Sequence, residues 1–168
     1  MISIEEFKQQ IRDFVRPNRF LVFVQSPFGS LSEEERILCQ SSSIPDYQIS
    51  SIELKYLGNT IKIGGDYNFS SITLTFLNDY EFKVRKFFEK WIKGISSVNF
   101  ENNLYINEYL SNSIIKLHQL GRNFEILRTY VFYYCLPVNL SNIELNMESN
   151  NQIESFSVEI QYGYWDVK

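Results

Sequence analysis

The run from Glu154 to Tyr164 alternates strictly, with Phe156, Val158, Ile160, Tyr162 and Tyr164 on one face and Ser155, Ser157, Glu159, Gln161 and Gly163 on the other. That two-residue period predicts a strand with one face on a core, within a C-terminal strand region spanning 149–168. Ser71 to Leu77 repeats the pattern, with Ile72, Leu74 and Phe76 opposed to Thr73 and Thr75. Phe20 to Gln25 reads as a further strand, and Arg36 to Gln40 as its hairpin partner across a Ser-, Pro- and Gly-containing loop. Ile52 to Leu57 meets Thr60 to Ile63 across Gly58-Asn59, the form of a hairpin over 52–63 with a tight two-residue turn. A second hairpin pairs Ser113–Leu120 with Phe124–Leu136 around Gly121-Arg122-Asn123. Its longer arm is apolar at both parities, with Ile126, Tyr130, Phe132 and Tyr134 on one side and Leu127, Val131, Tyr133 and Cys135 on the other. Such a strand needs two covers.

Helical periods are fewer. Ser3-Ile4-Glu5-Glu6 has the form of a capping box, and Ile4, Phe7, Ile11 and Phe14 follow at helical spacing, so residues 1–16 predict an N-terminal helix or arm ending before Pro17. Asn78 with Glu81 three residues on predicts the start of an internal helix over 79–93, whose stripe is Val84, Phe87, Phe88, Trp91 and Ile92 and whose end is Gly94. Gly64-Gly65-Asp66 precedes a strand, where a phosphate cradle would need to open a helix; the glycines read as a bend or bulge.

Composition supports strands. Alanine is absent and aromatic residues are 16% of the chain (Phe 14, Tyr 11, Trp 2). The fold class expected is mainly β, two packed antiparallel sheets in a sandwich or barrel, with one internal helix and a short N-terminal one, as a single domain over 1–168. The net charge of −4 argues against a surface that grips nucleic acid, which needs clustered Lys and Arg. Residues 137–168 hold only Lys168 against Glu144, Glu148, Glu154, Glu159 and Asp166, a balance of −4 that equals the whole chain's. No signal peptide or membrane-length apolar run is read in the chain, so no membrane partner is expected, and Cys39 and Cys135 are expected to be free buried thiols in a reducing setting, with a Cys39–Cys135 disulfide as the alternative.

Catalytic and metal chemistry find little support. His118, the lone histidine, shares its parity with Lys116 on a predicted strand and has no orienting partner in sequence, which favours a surface or interface position over a general base. Neither cysteine has the electropositive setting of a nucleophile. Glu33-Glu34-Glu35 is a contiguous run that cannot converge on one ion unaided and reads as a solvated loop. No enzymatic activity, cofactor or metal is expected.

Five tracts together resemble one family. Arg16-Pro17-Asn18-Arg19-Phe20, Gly64-Gly65-Asp66-Tyr67-Asn68-Phe69, Leu77-Asn78-Asp79, Leu136-Pro137-Val138-Asn139-Leu140 with Ile143-Glu144-Leu145-Asn146, and the Asn150-Asn151 turn before the C-terminal strand stand in the order and spacing of tail tube proteins of contractile-tailed bacteriophages of the T-even type. The resemblance implies a virion structural subunit, assembled in the host cytoplasm. In that family six copies form a ring whose strands join into an inner β-barrel, and rings stack into a tube through which DNA passes without specific binding. Sheath, baseplate and tape-measure proteins are the partners it implies. It also makes the 52–63 hairpin a projecting arm, with Lys55, Tyr56, Leu57, Gly58, Asn59 and Thr60 as ring-stacking contacts. Ser155, Ser157, Glu159 and Gln161 are then the lumen face, joined by Glu53 where its arm lines the bore. A neutral or acidic wall would repel phosphate rather than bind it. The alternatives are a baseplate tube-initiator, a tube subunit of a type VI-like or extracellular injection system, and, from another class, a β-barrel whose aromatics line a ligand pocket.

Overall fold

The computed structural model describes residues 4–10, 14–95 and 106–168. Two antiparallel sheets face each other across one hydrophobic cluster. The first comprises β1 (Phe20–Ser26), β2 (Gly29–Ser30), β7 (Ile114–Leu120), β8 (Ile126–Tyr133) and β11 (Tyr164–Val167), in the order β11-β8-β7-β1-β2. The second comprises β3 (Cys39–Ser41), β6 (Ile72–Leu77), β9 (Leu136–Leu140) and β10 (Ser155–Gln161), in the order β3-β6-β10-β9. A separate two-stranded ribbon, β4 (Gln48–Tyr56) and β5 (Asn59–Asn68), belongs to neither. Helices are α1 (Ile4–Gln10), α2 (Glu33–Ile37), α3 (Lys83–Ile95) and α4 (Ile106–Ser111).

The predicted inward parity holds except at Tyr164, which is exposed while Trp165 turns inward, because the strand breaks after Gln161 and resumes in the other sheet. Ile72, Leu74 and Phe76 of β6 and Phe156, Val158 and Ile160 of β10 are all buried, and they meet Val22, Val24, Ile115, Leu117 and Phe132 of the five-stranded sheet. Helix α3 adds Val84, Phe88 and Trp91, each fully buried, with Phe88 5.5 Å from the Phe76 ring and 6.2 Å from Trp91. Each such side chain contributes roughly 1.5–3 kcal/mol of hydrophobic stabilisation. The aromatics therefore fill the core ring against ring. Arg85 fixes the helix to the second sheet: its Nη1 donates to the Ser141 carbonyl (3.3 Å), its Nε donates to Glu89 (3.1 Å), and its guanidinium lies 5.4 Å from the Phe156 ring centre.

Several boundaries differ from the sequence expectation, each for a local reason. Helix α3 starts at Lys83 rather than 79, because Phe82 takes a left-handed φ of 55° and the Asp79 carboxylate accepts the Lys83 N–H (2.9 Å). Asn78 does not cap it; its side chain donates to Glu154 (2.9 Å). Gly94 does not terminate it but sits in its last turn. Arg36–Gln40 is not the partner of β1. Ser32 and Glu35 close a capping box that starts α2, so the glutamate run is a helical turn rather than a loop, and Cys39 onward pairs with β6 in the other sheet. Helix α4 was not predicted. Ser3, the cap of the expected N-terminal box, and Ile11 lie outside the described residues, as does the stretch 96–105, and residues 14–16 are not helical.

The two long apolar strands also end early, at one corner. Strand β8 stops at Tyr133, Tyr134 adopts φ 56°, and the chain crosses to begin β9 at Leu136. The C-terminal strand crosses the opposite way: β10 leaves the second sheet after Gln161 and β11 joins β8 in the first. The Gly163 N–H donates to the Tyr133 carbonyl (3.0 Å), locking the two crossings together. Cys135 is buried in this corner, Cys39 is half-buried, and both are free thiols.

Candidate assembly surfaces

The β4–β5 ribbon is exposed along both faces beyond its root. Its register pairs Tyr56 with Asn59, so the turn residues are Leu57-Gly58, with φ 46° and 82°, and not Gly58-Asn59 as the sequence suggested. Two positive φ values are what a two-residue hairpin needs to match strand twist. Glycine takes such a φ freely, whereas a leucine there costs about 1 kcal/mol. The hairpin is also longer than 52–63, running from Gln48 to Asn68 with a bulge where Ile49 and Ser51 face Tyr67 and Gly64, which accounts for the paired glycines. A Cβ on Gly65 would stand 2.7 Å from the Ser50 hydroxyl.

One face of the ribbon is apolar, with Ile52 opposite Ile63 and Leu54 opposite Ile61, and all four are exposed together with Tyr56 and Leu57. On the other face Glu53 stands opposite Lys62 with an ion pair at 3.5 Å, and Lys55 stands opposite Thr60. Lys55, Tyr56, Leu57, Gly58, Asn59 and Thr60 thus form one exposed tip. The root is clamped. Ser70 donates to both oxygens of Asp46 (2.7 and 2.8 Å), Tyr47 packs on Trp165 (4.4 Å between ring centres) and Phe69 on Tyr162 (5.8 Å). The Ser70 hydroxyl holds the Asp46 carboxyl below its usual range.

Ser155, Ser157, Glu159 and Gln161 come together as predicted, on the outer face of β10. Thr73 and Thr75 of β6 and Asn139 of β9 share that face by register. Thr75 and Ser157 hydroxyls are 3.1 Å apart, and Ser71 donates to Glu159 at 2.6 Å. Glu159 is the only charged residue in the four strands of this sheet. Glu53 is not part of this surface: it lies on the separate ribbon, with a lysine as its partner. Both margins of the four-stranded sheet, β3 and β9, carry no further strand among the described residues.

Among the described residues no group of three His, Cys, Asp or Glu side chains could hold a metal ion, and no helix is long and apolar enough to cross a membrane. His118 Nδ1 lies 2.8 Å from the Thr129 hydroxyl, and burial, with Lys116 and Arg36 nearby, holds its pKa below the usual value.

A family model of phage tail tube proteins matches residues 15–168. The chain belongs to the phage tail tube protein family. Tail tube protein gp19 of Enterobacteria phage T4 is 23% identical over 164 residues, covering 92% of each chain, and the tail tube protein of Serratia phage KSP90 is 23% identical over 172 residues, covering 96% of this chain and 95% of its own. The fold is shared with chains in the baseplate of the anti-feeding prophage (TM-score 0.70, 13% identity, 94% of this chain and 97% of that one). It is shared as well with a chain in the sheath–tube complex of an extracellular contractile injection system (TM-score 0.65, 16% identity, 99% and 97%).

The sequence reading anticipates an exposed hairpin and the polar parity of β10. It takes Ile143–Asn146 as the short strand that the resemblance implies, whereas this stretch belongs to the loop between β9 and β10, where Leu145, Met147 and Ile153 are exposed at 82%, 99% and 73% beside Glu144, Glu148 and Glu154. Three large apolar residues at irregular spacing among polar neighbours were its only signal.

Proposed function

We infer that this chain is the repeating structural subunit of a contractile phage tail tube, a component of the virion tail without a catalytic role, working as one domain over 1–168. Six copies close into a ring by joining the unpaired margins of the four-stranded sheet, β3 of one copy to β9 of the next. Closure removes edges that would otherwise template uncontrolled strand pairing. The observation that carries this reading is the outer face of that sheet, hydroxyl- and amide-rich with Glu159 as its single charge.

Ser155, Ser157, Glu159 and Gln161 line the bore in this reading. A wall without Lys or Arg offers phosphate no counterion-releasing contacts, so DNA slides past rather than binds. Glu53, on the separate ribbon and paired with Lys62, is outside this wall. The tip from Lys55 to Thr60 projects to the adjacent ring, and an isolated two-stranded ribbon with one apolar face needs such a cover to be stable. The sheath–tube, cap and baseplate assemblies among the structural relatives support contacts with the corresponding tail proteins. Negative-stain electron microscopy of the purified chain at rising concentration tests the reading. Hollow tubes or six-fold rings are expected; a monomer at all concentrations, alone and with its virion partners, overturns it.

A further inference from the structure

The exposed loop between β9 and β10 encloses a cleft of about 510 Å³ lined by residues 142–147, 149 and 152–155, with Leu145, Met147 and Ile153 as its apolar surface. Glu144 and Glu154 give it two carboxylates and no base. The hairpin tip has the complementary character. Tyr56 and Leu57 are 70% and 84% exposed, and the charges of the ribbon near it are Glu53, neutralised by Lys62, and Lys55. Leu57 is doubly unfavourable in an isolated subunit, since it exposes an apolar side chain and holds a left-handed φ that asparagine or glycine accepts more easily. An outlier that the free chain disfavours points to a use in the assembled state.

We propose that the hairpin tip of one copy seats Tyr56 and Leu57 in the 142–155 cleft of a second copy, apolar side chains against Leu145, Met147 and Ile153, with Lys55 beside Glu144. This rests on the reading that the hairpin stacks rings, and it adds the surface that receives the hairpin. Because tip and cleft are different patches, the contact is heterologous and propagates from copy to copy instead of closing as a dimer. That is the symmetry a growing tube requires.

Cysteine cross-linking in the full chain tests it. Leu57→Cys with Met147→Cys brings thiols within disulfide reach only across the proposed contact. The native Cys39 and Cys135 thiols, pushed up to about 12 by burial, stay silent. After assembly and mild copper–phenanthroline oxidation, the double variant is expected to give a non-reducing gel ladder extending past the dimer, and the single variants none. Tubes of normal appearance without a ladder overturn the proposal. So does a ladder from Phe7→Cys with Met147→Cys, which would assign the cleft to the exposed face of α1 instead. A second arm uses charge: Glu144→Lys is expected to lower tube yield about tenfold or more by placing like charges together, and Lys55→Glu to restore part of it. Unchanged yield counts against the cleft. The stacking reading fails separately, when replacing Gly58-Asn59 by a bulky apolar pair leaves tube length unaltered, and absence of tubes from the unmodified chain removes both.

Discussion

The ring of Phe28 lies against the Cα of Gly94 so closely that a Cβ there would overlap it. Lys90, one turn back on α3, has its ammonium 5.9 Å from the same ring. The glycine is thus a packing requirement inside the helix. Gly94→Ala gains about 1 kcal/mol of helix propensity but faces an overpacking penalty of roughly 1–3 kcal/mol. Urea denaturation is expected to show a net loss, and Phe28→Ala combined with Gly94→Ala a smaller loss than the two singles added. Additive losses would mean that the ring and the glycine do not oppose each other.

Leu57→Asn separates subunit stability from assembly. Asparagine relieves the left-handed strain at the turn, so the soluble subunit is expected to gain up to about 1 kcal/mol. Tube yield, scored by electron microscopy, is expected to fall because the apolar tip is gone. A variant that is no more stable and assembles normally would contradict both halves.

Glu159→Lys places a base on the polar face of β10 and removes the 2.6 Å bond from Ser71. Tubes are expected to form, with subunit stability lowered by about 1 kcal/mol. In virions carrying the variant, DNA release is expected to slow at low ionic strength and to recover as salt screens the new contacts. Release kinetics identical to the parent at low salt would place Glu159 away from the bore.

Both thiols are raised by burial from 9.0 to about 12. In the unfolded chain they ionise near pH 9 while the folded chain keeps their protons, so the unfolded state is favoured progressively as pH rises from 9 toward 12. Stability is intact below pH 9 on this account. Iodoacetamide at pH 8 is expected to label neither cysteine until urea is added, and Cys39→Ser is expected to soften the alkaline decline in unfolding free energy. Rapid labelling of the native protein would show that the thiols are accessible.

Legibility in the sequence followed from how local each cause was. The alternations in β6 and β10 and the stripe Val84, Phe88, Trp91 were readable because period alone sorts a side chain to core or solvent. The start of α3 was misread because Asn78 serves Glu154, a partner 76 positions away. The β1 hairpin was misread because Ser32 and Glu35 cap α2 and send the chain to the other sheet. The turn at Leu57-Gly58 was shifted by one residue because Gly58-Asn59 looks like a turn pair, whereas cross-strand pairing of Glu53 with Lys62 and Leu54 with Ile61 fixes the register.

By itself the sequence determined which side chains avoid water, that strands dominate, that a paired-strand arm exists near residue 57, and which family the chain resembles, since all of these depend on residue type and near-neighbour spacing. Tertiary structure decided where the apolar runs break to change sheets at Tyr134 and Gly163, that Glu159 is the lone charge on an otherwise neutral face, and that Leu145, Met147 and Ile153 share one cleft. Those features arise from contacts between residues far apart in the chain, whose meeting is set by sheet order and packing rather than by any local period.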